Sequence, residues 1–201
     1  YYDPMLSSDF MADLSLRLNQ KFPLLKLKWQ RGDWQTSLSE TAKSVSCISF
    51  LPNKKRSFPE SNIELKLLGF QNYHFYTAKG GPLTQLEVVD KSHLRNHTQV
   101  LHHNIVNHDH GDYMRLSAHY ISVETNDDIC RLIAKFGWAI VPDSFAAPYV
   151  AQGLIEVFTP DVIVNDYKMS VAAYFCSAIN RGPAMSYLLA LLPELALSHF
   201  D

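Results

Sequence analysis

The chain has 201 residues, 47% of them hydrophobic, and a formal net charge of −2. That length suits one large domain or two small lobes around a buried core, and the apolar content excludes long-range disorder. The densest basic cluster is Lys54, Lys55 and Arg56, which reads as a solvated loop rather than the basic face of a protein that holds nucleic acid by itself.

In chain order, Tyr1 and Tyr2 read as the tail of a strand that Pro4 breaks. Ser7 and Ser8 are N-cap candidates with Asp9 in the first turn. Phe10, Met11, Leu14, Leu18 and Phe22 then recur at helical spacing up to Pro23. Leu25, Leu27 and Trp29 alternate with Lys26, Lys28 and Gln30, as in a half-buried strand. Asp33 caps a short helix from Trp34 to Ala42, and Val45 to Phe50 reads as a buried strand ended by Pro52. A polar loop containing Pro59 follows. Ile63 to Tyr76 is strand-like with a break near Gly69 to Asn72, and Gly80-Gly81-Pro82 is a turn.

The second half continues with a short helix in Leu86 to Asn96, a strand in Thr98 to His102, a polar loop from Asn107 and a strand at Tyr120 to Val123. Thr125 and Asp128 resemble a capping box, and Ile129, Leu132, Ile133 and Phe136 share the face of the helix that follows. Gly137 is placed to end that helix. Trp138 to Val141 is a strand stopped by Pro142. Ser144 caps a helix ended by Gly153, Leu154 to Phe158 and Lys168 to Cys176 are strands, and Pro183 opens a last helix through about Leu192. Strands alternating with helices predict an α/β fold with largely parallel sheets.

Cys47, Cys130 and Cys176 lie far apart among apolar neighbours. Their odd number and unpaired spacing speak against a disulfide framework. They read as small core residues in a reducing compartment, with a redox-sensing thiol as the other reading. No apolar run is long enough for a membrane span, and Tyr1-Tyr2-Asp3-Pro4 does not open a signal peptide. Without an initiator Met, the chain reads as beginning inside an element. His93, His97, His102, His103, His108 and His110 crowd one segment, but their spacing matches no metal-binding motif. Catalytic signatures such as Gly-x-Ser-x-Gly, a P-loop or Cys-x-x-Cys do not occur, so neither an enzyme nor a cofactor is expected.

The stretch Ile129-Cys-Arg-Leu-Ile-Ala-Lys-Phe-Gly-Trp-Ala-Ile-Val-Pro142, continuing to Gln152-Gly-Leu-Ile-Glu-Val-Phe158, resembles the LysR-type transcriptional regulators. So do Leu14 to Trp29 around Phe22-Pro23, Trp34 to Phe50, and Leu67 to Leu83 with Gly80, Gly81 and Pro82. Two positions depart from the family. Ser44-Val45-Ser46-Cys47 stands where the family carries an Asp before the third strand, and Phe136-Gly137-Trp138 replaces a glycine flanked by small residues.

The resemblance implies two Rossmann-like lobes of the type 2 periplasmic-binding-protein kind joined by two crossover segments. Lobe I comprises residues 1–70 plus 168–201, and lobe II residues 71–167. A winged helix-turn-helix that binds DNA belongs to the family but is absent from this chain. The implied function is an effector-sensing domain that binds a small molecule in the inter-lobe cleft, in a cytoplasmic homodimer or homotetramer. A free-standing solute-binding protein of the same fold is the alternative.

Ligands of open α/β sheets collect beyond the carboxyl ends of strands, where helix N-termini offer free amides. Candidate ligand-binding residues are therefore Met5, Ser7 and Ser8 after the first strand, Leu51 after the third, and Glu124 and Thr125 after the strand ending at Val123. His103, Val141 and Pro142 complete the set. A small carboxylate or other anion fits two such helix ends, although Glu124 opposes it. Ser8 and Thr125 equally serve as caps of their own helices.

Overall fold

A computed structural model describes residues 1–53, 62–106, 114–161, 167–178 and 180–201. Lys54, Lys55, Arg56, His108 and His110 lie outside the described residues. The elements run α1 (Ser8–Lys21), α2 (Trp34–Ala42), β1 (Ile48–Pro52), β2 (Ile63–Ala78), α3 (Lys91–Asn96), β3 (Gln99–His102), α4 (His103–Val106) and β4 (Tyr120–Val123). They continue with α5 (Asn126–Ile133), β5 (Trp138–Pro142), α6 (Asp143–Ala151), β6 (Ile155–Phe158), β7 (Tyr167–Cys176) and α7 (Pro183–His199). The chain forms two compact units, Tyr1–Gln71 with Met169–Asp201, and Asn72–Lys168. Both boundaries fall within strands, β2 and β7.

In the first unit the strand order is β1-β7-β2. β1 pairs antiparallel with β7 in the register Ile48↔Phe175 to Pro52↔Val171, and Tyr2 bridges in parallel to Phe50 and Arg31. Ser7 caps α1 by accepting the Phe10 amide at 3.2 Å. The helical spacing buries Phe10, Leu14 and Leu18, each worth roughly 1.5–3 kcal/mol. Phe10 meets Phe50, His199 and Phe200 edge-on, and Trp29 donates to Ser15 Oγ at 2.9 Å. Across the α1 and α7 faces, Arg17 pairs with Glu194 at 2.8 Å and His199 with Asp13 at 3.0 Å.

Four local expectations give way here. The segment Leu25 to Gln30 is not a strand. Among the described residues the nearest bridge is Tyr2–Arg31, just past the segment, and Leu24, Leu25 and Leu27 stand in solvent. Alternation makes a strand only where one face finds a core and the backbone finds a partner. β1 starts at Ile48, because 45–46 turn and leave Val45 exposed. β2 runs unbroken through Gly69. A Cβ there would lie 2.6 Å from the Asp201 carbonyl, because the chain end pairs with Phe70 in both directions (2.9 and 3.0 Å). α7 passes through Pro193 to His199. Proline deprives the carbonyl four residues earlier of its donor, and Lys66 Nζ supplies one to that Leu189 carbonyl at 3.2 Å.

In the second unit the order is β6-β2-β5-β3-β4. β2 is antiparallel to β5 and β6, while β3 is parallel to β4 and β5. Four strands therefore share one direction and the crossing strand opposes them, so the largely parallel sheet is in fact mixed. One sheet face packs Tyr76, Val100, Ala139, Val141 and Ile155 against Ile129, Cys130 and Ile133 of α5 and Ala146 of α6. The other stacks Phe75 on Trp138, with Phe158 edge-on to both. Buried Gln99 donates to the Met114 carbonyl at 2.6 Å and accepts from the Leu116 and Ser117 amides.

α3 is shorter than expected because Asp90 caps it and forms a full capping box with His93. Gly137 (φ +76°) and Gly153 (φ +67°) take the left-handed conformation expected of residues that end a helix. α6 begins one residue before Ser144, which is therefore not its cap; Pro142 holds that position without a side-chain bond.

Candidate functional site

Within the second unit, β3, β4 and β5 run in parallel and end at one edge; a helix begins directly after β3 and β5 and two residues after β4. This brings together five sequence candidates: His103 at the start of α4, Glu124 and Thr125 before α5, and Val141 and Pro142 before α6. His103 opens α4, and its Nδ1 lies 4.0 Å from Glu124 Oε1, both side chains being at least half exposed.

Thr125 is occupied by its own helix. Its hydroxyl accepts the Asp128 amide at 3.1 Å and donates to Asp128 Oδ2 at 2.6 Å. Asp127 and Asp128 lie in the first turn of α5, next to Glu124. Arg131 (2.6 Å) and then Tyr149 hold the Asp127 carboxyl below its ordinary range. Asp127 is thus paired with Arg131, and Glu124 and Asp128 beside the positive end of the helix weigh against an anion at that position.

Val141 is fully buried in the core of its unit, and Leu51 in that of the first unit with Leu38, Ile63, Ala172 and Tyr174. Both are packed interior with no accessible surface, because β1 and β5 are covered by helices. Pro142 is buried too. In the first unit, Met5 is 5% exposed and its amide donates to Asp3 Oδ1 at 3.0 Å. Ser7 is buried as the α1 cap, and Ser8 is exposed in the first turn with Asp9.

Three polar side chains at the β5–α6 junction were not singled out from sequence. Asp143, the first residue of α6, takes His74 Nδ1 at 2.7 and 2.9 Å and the Tyr76 hydroxyl at 2.9 Å. The register His74↔Val141 and Tyr76↔Ala139 sets both side chains on the β2 face toward α6. Asp143 places the imidazole proton on Nδ1 and so fixes the ring orientation. Burial, and then Asp143, push the Tyr76 phenol well above its ordinary value, keeping it a donor. His74 and Asp143 are each about two-fifths exposed (41% and 39%), so the pair meets solvent. The available signal was two polar side chains two residues apart on a strand, which only the antiparallel pairing joins to Asp143.

Among the described residues no group of three His, Cys, Asp or Glu side chains is arranged to hold a metal ion, and no helix is long and apolar enough to cross a membrane. Cys130 and Cys176 are buried and Cys47 is half-buried, and all three are free thiols.

No protein-family model and no curated protein matches the sequence. Solved structures do match in fold. The regulatory domain of MetR, a LysR family regulator from N. meningitidis, superposes with a TM-score of 0.73 at 12% identity, over 96% of this chain and 90% of that one. The CcmR regulatory domain from Synechocystis PCC6803, in complex with 2-PG, gives 0.74 at 10% identity over 100% and 97%. The effector binding domain of QuiR in complex with shikimate gives 0.70 at 11% identity over 100% and 96%. The fold is therefore the two-lobed α/β fold of LysR effector-binding domains.

Proposed function

We propose that this chain is the effector-sensing domain of a LysR-type transcriptional regulator. It binds a small molecule in the cleft that the family resemblance implies between its lobes, and it is not an enzyme. The observation that carries this reading is the fold likeness along nearly the whole of both chains to domains whose function is regulatory. DNA contact belongs to an N-terminal winged helix-turn-helix outside this sequence, and the working location is the cytoplasm. Effector binding shifts the population of oligomer arrangements and so repositions those DNA-binding parts. Exposed Leu16 on α1, and Leu24, Leu25 and Leu27 after it, favour self-association through the first unit.

In the second unit, effector contact centres on His74, Asp143 and His103, which with Glu124 are accessible polar groups beside the strand ends. The acidic α5 start selects a neutral or cationic group at that position over an anionic one. A thermal-shift panel of small metabolites, followed by calorimetry on each hit, tests the reading. His74→Gln and Asp143→Asn are expected to weaken a confirmed effector about tenfold, the loss of one hydrogen bond to a charged group. Footprinting with the full-length gene product should show operator protection that changes with the effector. Turnover of the hit, or export of the protein as a free solute binder, would overturn the assignment.

A further inference from the structure

The bonding of the His74–Asp143–Tyr76 cluster is one-sided. Both Asp143 oxygens accept His74 Nδ1, at 2.7 and 2.9 Å, and Oδ1 also accepts the Tyr76 hydroxyl. Tyr76 has no second proton to offer, since its phenol stays protonated and donates to Oδ1. Nδ1 carries the imidazole proton, so a neutral His74 has its lone pair on Nε2. Among the described residues none bonds Nε2, and the side chain is 41% exposed. The ring is thus fixed from behind, at Nδ1, and presents an acceptor to solvent at Nε2.

The charges around this acceptor have one sign. With the imidazole neutral, the cluster carries the negative charge of the Asp143 carboxylate. From β5 the cross-strand neighbours of His74 and Tyr76 are Val141 and Ala139, which do not titrate. From α5 comes Cys130, whose thiol burial pushes up to about 12 and so keeps neutral. At the neighbouring strand ends stand Glu124, with His103 beside it, and Asp128. A negative cluster with an outward acceptor suits a ligand group that is both a cation and an N–H donor.

We propose that His74 Nε2 is the specificity-determining acceptor of the effector site, that it takes a primary ammonium group, and that Asp143 is its positioning residue. The inference rests on the effector reading above and names the ligand chemistry of that site. Ammonium and proton compete for one lone pair. An imidazolium carries N–H on Nε2 and cancels the Asp143 charge, so it neither accepts from the ligand nor attracts it. Affinity is therefore full while the imidazole is neutral and falls about tenfold for each pH unit below its titration.

Butylammonium, butyltrimethylammonium and 1-butanol share one body; the second keeps the charge without an N–H, the third keeps a donor without the charge. Long-range ¹H–¹⁵N NMR of the imidazoles in the full chain at alkaline pH is expected to show His74 as the Nδ1–H tautomer. Butylammonium should give saturable shifts at His74, Tyr76 and residues 143–145, and the other two probes should bind about fivefold more weakly or worse. His74→Gln keeps a carbonyl acceptor that does not titrate, so its weakened binding should show no pH dependence across the imidazole range. Asp143→Asn should weaken butylammonium about tenfold and populate the Nε2–H tautomer of His74, which a merely structural role would not do. An Nε2–H tautomer in the unaltered chain, equal binding of the primary and quaternary ions, or an affinity that stays constant through the His74 titration would each overturn the proposal. Each would leave the effector reading standing, which falls instead if no hit of the metabolite panel alters operator protection.

Discussion

Replacing Gly137 by Ala tests whether the turn between α5 and β5 is set by backbone conformation alone or also by close approach. Gly137 has φ +76°, and an added Cβ would stand 2.4 Å from the Thr98 carbonyl oxygen. That oxygen accepts the Trp138 amide at 3.0 Å, at the point where β3 meets β5. A left-handed Ala costs about 1–2 kcal/mol. The contact is with backbone, so it cannot swing away, and relieving it stretches the Trp138–Thr98 bond, worth about 1 kcal/mol, and strains a packed core by about 1 kcal/mol more. The expected loss is therefore about 3–4 kcal/mol. Gly80→Ala is the control. Its φ is +67°, but no atom lies within 4 Å of its Cβ position, so only the conformational part of about 1–2 kcal/mol applies. Urea unfolding of both variants, followed by tryptophan fluorescence and by far-ultraviolet circular dichroism, measures the gap. Equal destabilisation of the two variants would refute the close-approach argument.

Thr125→Ala removes the α5 cap and should cost about 1 kcal/mol in urea unfolding. It should leave the affinity of a confirmed effector unchanged, because the hydroxyl already spends its proton and one lone pair within the helix; a tenfold loss of affinity would put Thr125 in the site instead. Burial pushes the Cys130 thiol up to about 12, so iodoacetamide near neutral pH should label half-buried Cys47 in the folded protein well before Cys130. Comparable labelling of both by peptide mass mapping would contradict this. Asp33 and Asp127 have folded pKa values below their ordinary ones, through the Thr36 amide and Arg131 respectively. Their stabilisation is complete above the unfolded carboxylate value of about 3.9 and is lost as pH falls through the lower folded values. Asp33→Asn with Asp127→Asn should therefore flatten the acid limb of melting temperature against pH, and a limb of unchanged slope would exclude these two groups.

Local chemistry made much of this fold legible in one dimension. Ser7, Asp33 and Thr125 announce helix starts because a short oxygen-bearing side chain can take an orphan amide in its own first turn. Gly137 and Gly153 announce helix ends because a left-handed residue is needed there. The order of apolar strands and helices, read together with the family resemblance, pointed to the α/β fold that the structural likenesses share. All of these signals span only a few residues.

What only the tertiary structure decided depends on partners far along the chain. Alternation at Leu25 to Trp29 looks like a strand, yet among the described residues no neighbour completes a ladder there and the leucines face water. Gly69 looks like a break, yet it is the place where Phe200 and Asp201 come close to β2. Pro193 looks like a stop, yet Lys66, more than a hundred residues away in sequence, satisfies the carbonyl it frees. The His74–Asp143–Tyr76 cluster follows the same rule, since its members meet only because β2 pairs antiparallel with β5. Propensity and capping act within one turn of chain, whereas backbone pairing, close approach and polar satisfaction are decided by whatever the fold brings alongside.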